Sequence, residues 1–590
     1  MVQDILGKKY FMYNPRGNRK YSHEDISKVL EKFCINESLR QIGLISKDIF
    51  DKAKPYPFMK LEGVPVCDAN LTYIAMKLIE NGSDDQSRAM SPRDIAKVAD
   101  MWFGLPDPYE EDKNETECMM RMAASQFEYN LDWMHFLSRT ACIYKKCWGL
   151  VTEDNNIDVL KEIENITGLT IDVVMALSYW FTLQGGHFPI YNSISIPNSD
   201  HSKVINAENQ NKFLEWAASD YAHFREVSLE YKATFGQEIY KFDQFRFNPL
   251  NIFPLIKPSK DFSWSKEKIV LIPIHYLVLK RVTQGLYHDL SKQFEIPGEK
   301  GNKFRIIFGK VFEKYVGELL KNAKTPLNGI SPFKYVKSKQ TLESADWMIL
   351  DDNRLILIEV KHNGLYLTSR ITGDLISIRN DLSKSVAKGV KQLLKFEDNI
   401  KSGKCPALHY LEGKQTERLI VTYDQIYFAN SVIDEQVKII LSDEGIKLPP
   451  DFHWHLISVE QFEQMLGNKN FNLFDYLKNK RLNPKYAAQD FREYLFYTGK
   501  TANNDYLPAL YNEFFEELKF LPQPNTSEDD KLLTKLTPVD AKGLQYPTTP
   551  TPQPFTPSYR SKFEMKGRDR NKPCPCGSGK KYKKCCGEYD

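Results

Sequence analysis

Residues 344–364 read SADWMILDDNRLILIEVKHNG, and the fold of the middle of the chain turns on this stretch. Two apolar runs, ending at Leu350 and starting at Arg354, flank the polar tip Asp351-Asp352-Asn353. Runs of this kind favour β-strands. Asp and Asn tolerate the positive φ that a tight hairpin turn demands. With the turn centred between Asp352 and Asn353, Trp347 falls opposite Ile358 and Asp346 opposite Glu359. Directly opposed residues of an antiparallel pair project from one face with Cβ atoms roughly 4.5–5.5 Å apart. Lys361, two residues past Glu359, shares that face, and Val360 points the other way. Two carboxylates so close repel each other. A divalent cation relieves the conflict, and an oxygen-only donor set suits Mg²⁺ or Mn²⁺. Edge decoration explains these charges poorly, because LILIEV reads as a strand buried on both faces.

The flanking segments extend the pattern. Upstream, KFRIIFGKVFEKYVGELLK (303–321) is an amphipathic helix whose stripe is Phe308, Val311, Phe312, Tyr315, Val316, Leu319 and Leu320, with Glu313 and Glu318 on its borders. Downstream, DLSKSVAKGVKQLLKFEDN (381–399) predicts a second helix with Lys388, Lys391 and Gln392 off its apolar face. IVLIPIHY (269–276), LIVTYDQIYFA (419–429) and WHLISV (454–459) read as further strands.

An acidic strand, a short turn and an apolar strand ending Glu-Val-Lys resemble the motif of the PD-(D/E)xK nuclease superfamily. Asp346, Glu359 and Lys361 match its acid, second acid and lysine; Ala345 stands where the pattern often has Pro. The resemblance covers roughly residues 300–465. It implies an α/β domain with a mixed central sheet flanked by helices, a catalytic set of Asp346, Glu359 and Lys361, and Mg²⁺ (or Mn²⁺) held by Asp346 and Glu359. It adds Glu313 as a further acid and metal ligand from the first helix. Gln392 corresponds to a glutamine of RecB-like members, although Phe396 replaces their tyrosine.

Residues 1–264 read as mainly helical, with SHEDISKVLEKF (22–33) and SPRDIAKVADMWFG (91–104) carrying serine caps, and with periodic apolar residues over 115–150 and 206–235. Cys142, Cys147, His135 and His187 read as structural. Residues 522–572 form a Pro/Thr-rich and then basic linker, including PTTPTPQPFTPS, of a composition that stays extended and solvated. The last segment, 573–590, ends CPCGSGKKYKKCCGEYD. Cys574, Cys576, Cys585 and Cys586 make an all-sulfur cage suited to structural Zn²⁺. This wording resembles the SEC-C motif, the zinc-binding C-terminus of the SecA translocase, which implies a docking tag for a SecB-like chaperone or a ribosome.

Composition limits the remaining possibilities. The 590 residues carry a net charge of +3, with 42% hydrophobic and 27% charged residues. That is globular composition, and it names no polyanionic partner without local clustering of Lys and Arg. No export signal and no membrane span is legible, so a cytoplasmic protein is expected. The expected architecture is therefore a mainly α domain (1–264), a PD-(D/E)xK nuclease-like domain (265–521), a disordered linker (522–572) and a small zinc module (573–590). The expected activity is metal-dependent phosphodiester hydrolysis, of DNA in the first place, in phage defence, restriction or repair. The alternatives are a ribonuclease, or a non-catalytic adaptor built on a nuclease-like fold.

Overall fold

A computed structural model describes most of residues 19–515, together with a short hairpin of Val2–Ile5 and Lys8–Phe11. Residues 107–132, 185–203, 259–269 and 516–590, with some shorter stretches, lie outside the described residues. The linker, the four tail cysteines and His187 therefore fall outside them. Residues 1–523 and 524–590 separate as two compact units.

The first unit is organised by a five-stranded mixed sheet: β1 (Gly329–Ile330), β2 (Trp347–Leu350), β3 (Arg354–Lys361), β4 (Gln415–Thr422) and β5 (His455–Ser458), in the order β5-β4-β3-β2-β1. β1, β2 and β3 pair antiparallel, whereas β3, β4 and β5 are parallel. Trp347 faces Ile358 and Leu350 faces Leu355, the register of a turn centred between Asp352 and Asn353, although neither of these residues takes the expected positive φ. The turn is pinned by Asp351, whose carboxylate accepts from the backbone of Arg354 at 2.9 Å and from its guanidinium Nε at 2.7 Å.

Alternation along β3 splits the core into two layers. Ile356, Ile358 and Val360 pack into the cluster that holds Phe308, Phe312 and Tyr315 of the helix Lys303–Lys321. Leu355 and Leu357 face the other way, into a cluster with Val386, Val390 and Leu393 of the helix Val386–Lys401. A sheet covered on both faces needs apolar residues at consecutive positions, which is why β3 reads LILI. The helix Lys303–Lys321 spans the full apolar-striped segment and is capped by Asn302, which accepts from the Arg305 N–H. The downstream segment breaks at Ser385 into Leu375–Lys384 and Val386–Lys401.

The described residues before 259 are mainly helical, with a hairpin of Phe58–Leu61 and Val64–Cys67, and residues 115–132 of the segment expected to be helical lie outside them. Ser22 caps His23–Leu30 and Ser91 caps Pro92–Trp102, each in a reciprocal capping box. Two strand expectations need correction. IVLIPIHY contributes only an isolated bridge between Leu271 and Ile256, and helix resumes at His275. Pro273 lacks the N–H a ladder needs, and the run is apolar because it is buried between helices. LIVTYDQIYFA is a strand only as far as Thr422, whose hydroxyl donates to the Asp424 carbonyl and turns the chain. The segment 206–235 is two helices, Ala207–Ala217 and Tyr221–Phe235, separated by the short strand Ala218–Asp220. A hairpin of Lys334–Lys337 and Gln340–Glu343 turns at Lys339, a non-glycine at φ 67°, and its turn carries no Gly or Asn signal.

The boundary expected between residues 264 and 265 runs through the first unit. The largest core cluster takes Leu137, Tyr144 and Leu177 from one side of it and Phe304, Ile358 and Leu510 from the other. Arg139 donates to both carboxylate oxygens of Glu463, at 2.7 and 2.5 Å, and both side chains are buried. Tyr315 donates to the same carboxylate at 2.6 Å. Among the described residues no single helix is long and apolar enough to cross a membrane.

Candidate active site

Asp346, Glu359 and Lys361 come together where β3 meets the start of β2. Asp346 precedes β2 and turns its carboxylate onto the backbone N–H of Val360, at 2.8 Å. Glu359 is buried, and its carboxylate lies within hydrogen-bonding reach of Asp346. Lys361 Nζ donates to Glu359 Oε2 at 2.5 Å and stands 3.6 Å from Asp346 Oδ2.

Glycines set this geometry from both sides of the sheet. On the downstream helix, a Cβ at Gly389 would lie 3.3 Å from Lys361 Cε and 3.7 Å from Glu359 Cβ, so the helix approaches the ion pair at close range. On the upstream helix, Gly317 receives the Trp347 ring: a Cβ there would stand 2.0 Å from Cζ2. Trp347 Nε1 then donates to the Glu313 carbonyl at 2.9 Å. One helix groove thus fixes both the hairpin's entry and the position of Glu313. Replacing Gly317 by Ala is expected to destabilise the fold by roughly 1–3 kcal/mol, since an indole cannot yield 1 Å without moving β2. A chemical denaturation curve with an unchanged midpoint would contradict this close seating.

The electrostatics follow from burial. Glu359 is pushed up to about 8, first by burial and then by the Asp346 charge, with Lys361 opposing. Glu313 is pushed up to about 7 by burial and by Asp346. Burial works against the Lys361 charge, but Glu359 and Asp346 hold it protonated and above its ordinary value. His362, packed against Gly309, is driven down to about 4 by burial and by Arg305, Lys361 and Lys388.

Two oxygen-donor carboxyls share one face, a donor set of the kind that a hard divalent cation takes. In the geometry described, the Lys361 ammonium supplies the compensating charge. Among the described residues no group of three or more His, Cys, Asp and Glu side chains is gathered closely enough to hold a metal ion. The expected ligand trio of Glu313, Asp346 and Glu359 is therefore not assembled. Glu313 feels Asp346 and Lys361 electrostatically without joining them, while Asp346 and Glu359 form a pair. Gln392 is exposed, and among the described residues no hydrogen bond connects it to the pair. Its place at the site is not seen. Glu318 is structural, receiving Lys321 and Lys146 at 2.9 Å each. Gly317, Gly389 and His362 were not singled out in the sequence; the small-residue positions Gly317 and Gly389 on otherwise apolar helices were the available signal.

One comparison with known proteins falls on the tail. Residues 570–588 match the SEC-C motif family. The tail carries a SEC-C motif. The chain is 28% identical over 141 residues to the protein translocase subunit SecA of Trichlorobacter lovleyi, covering 23% of this chain and 14% of the relative. It is 24% identical over 163 residues to that of Geobacter metallireducens, covering 27% and 16%. A shorter match, 51% identical over 53 residues, links it to that of Elusimicrobium minutum, covering 8% and 6%. The SEC-C motif and these partial similarities concern a minor part of each chain. No solved structure matches.

Proposed function

We propose that the first unit is a metal-dependent nuclease acting on phosphodiester bonds, in the first place of DNA. The observation that carries this reading is the Asp346–Glu359 pair with Lys361 Nζ between them, 2.5 and 3.6 Å from the two carboxylates. Mg²⁺ is commonly held by one or two carboxylates, with waters and substrate phosphate oxygens completing its shell, so two acids suffice. When bound, such an ion lowers the pKa of a coordinated water and polarises the phosphorus centre.

The chain's own residues do the rest. Asp346 is held by the Val360 N–H and would supply carboxylate oxygen to an ion. Glu359 is preorganised by the Gly389 contact. Lys361, released from Glu359 when the pair is neutralised otherwise, can donate to the attacking water or to the charge that grows on the phosphate. Glu359, held up at about 8, must ionise before it ligates, so apparent metal affinity is expected to strengthen as pH rises toward 8. Incubation of the purified chain with plasmid, linear and single-stranded DNA and with RNA, under Mg²⁺, Mn²⁺ or EDTA, tests the proposal. Cleavage that needs the cation supports it. No cleavage of any substrate by a folded protein would refute it.

A second reading concerns the tail. The SEC-C motif and the SecA similarities favour a protein-docking role for residues 570–588. Four thiolates from Cys574, Cys576, Cys585 and Cys586 would fill a tetrahedral Zn²⁺ shell and leave no position for water. Lys580, Lys581, Lys583 and Lys584 would give this module a basic surface suited to an acidic partner. If the first unit turns over no substrate, the whole chain is better read as an adaptor.

A further inference from the structure

The rim of the site carries features that the chemistry above does not use. Tyr366 follows β3 by five residues, a reach of at most about 17 Å from Lys361 even if fully extended. It is 38% exposed, yet its backbone is not loose. Its N–H donates to Asp381 Oδ2 at 2.8 Å, and the same buried oxygen receives the Ser369 hydroxyl at 2.6 Å. The Arg305 guanidinium lies over the Tyr366 ring, 5.7 Å from its centroid. Arg305 is itself steered by Ser291, which accepts from its Nε at 2.6 Å. Across the site, exposed Lys388 sits beside Gly389, the residue that abuts Lys361. Arg305 and Lys388 both act electrostatically on His362, so both cations lie close around the end of β3. Among the described residues neither is paired with a carboxylate.

A partly exposed aromatic ring on an anchored backbone, backed by a guanidinium and with a second cation near the end of the same strand, is what an unstacked nucleotide requires. The ring offers a π-face to a base, and the cations meet the flanking phosphates. A base within a duplex has both faces already covered by its neighbours and cannot use the ring. We infer that Tyr366 and Arg305 form a stacking shelf for an unpaired base, with Lys388 on the adjoining phosphate, so that the site takes single-stranded or frayed nucleic acid. This rests on the nuclease reading for the position of the scissile phosphate, but its test does not depend on turnover.

The test uses the full chain carrying Asp346→Asn, which should silence cleavage, and fluorescein-labelled oligothymidylate alongside a duplex of equal length. Adding Tyr366→Ala is expected to weaken single-strand binding roughly tenfold or more while changing duplex binding less, and Tyr366→Trp should restore it. Arg305→Ala should produce the same selective loss. Equal losses for both substrates, no loss at all, or no binding of either would overturn the shelf. If wild-type chain cuts nothing but binding depends on Tyr366 in this way, the shelf stands and the nuclease proposal falls. If cutting is seen and the Tyr366→Ala ratio is unchanged, the reverse holds.

Discussion

Replacing Lys361 by Ala is expected to reduce phosphodiester cleavage at least about 10²–10³-fold while the protein stays folded, the range seen when a positioned electrostatic donor is removed. The side chain ends on Glu359 and near Asp346 and runs past Gly389, so its loss removes charge and a short aliphatic stem without emptying the apolar core. Circular dichroism and a denaturation curve would establish the fold, and a gel assay the activity. A Lys361→Ala chain that cuts as well as wild type would eliminate the site. The variant also carries a pH signature. Glu359 is held near 8 in the folded chain against an ordinary 4.5, so the folded state keeps a proton that the unfolded chain releases. The stability linked to that proton is complete below about 4.5 and is lost as pH rises through 8. The ammonium works against this rise, so removing it lifts Glu359 further. Without divalent cation, the midpoint gap between wild type and variant should therefore widen from pH 5 to pH 8.5.

Arg139→Met is expected to cost roughly 3–5 kcal/mol, because it strands the Glu463 carboxylate in the interior. Arg139 and Glu463 are 324 residues apart in sequence and share two charge-assisted hydrogen bonds, with Tyr315 as a third donor to the same group. Tyr315 alone cannot offset a buried negative charge. The double replacement Arg139→Met, Glu463→Leu should recover much of the loss, since an apolar pair of similar volume removes both desolvation penalties. Denaturant titrations of the two single variants and the double variant would decide it. A single variant as stable as wild type would mean that the helices before residue 150 and the helix after β5 are not joined through this pair.

The hairpin register was legible because it is local. Asp351 pins the turn through its hydrogen bonds to Asn353 and Arg354, and the length of the turn fixes which residues oppose one another. The helix Lys303–Lys321 was legible from end to end, for its apolar stripe is uninterrupted and Asn302 caps it. The run IVLIPIHY is not a strand, because a short apolar run looks the same in a sheet and between helices and Pro273 lacks a ladder N–H. The coherence of residues 1–523 was not legible, since contacts such as Arg139–Glu463 leave no periodic trace. Glu313 and Gln392 came from resemblance alone, and only Glu313 falls within electrostatic range of the pair.

The outermost strand of the sheet, Gly329–Ile330, is two residues long, and the opposite border strand, His455–Ser458, has four. Long free borders are where β-proteins zip onto copies of themselves and begin to form fibres. Here one border is cut almost to nothing and the other is brief, so two molecules meeting side by side would find few backbone groups to share. Concentrated preparations should therefore resist ordered β-aggregation for as long as the sheet stays closed between its helices.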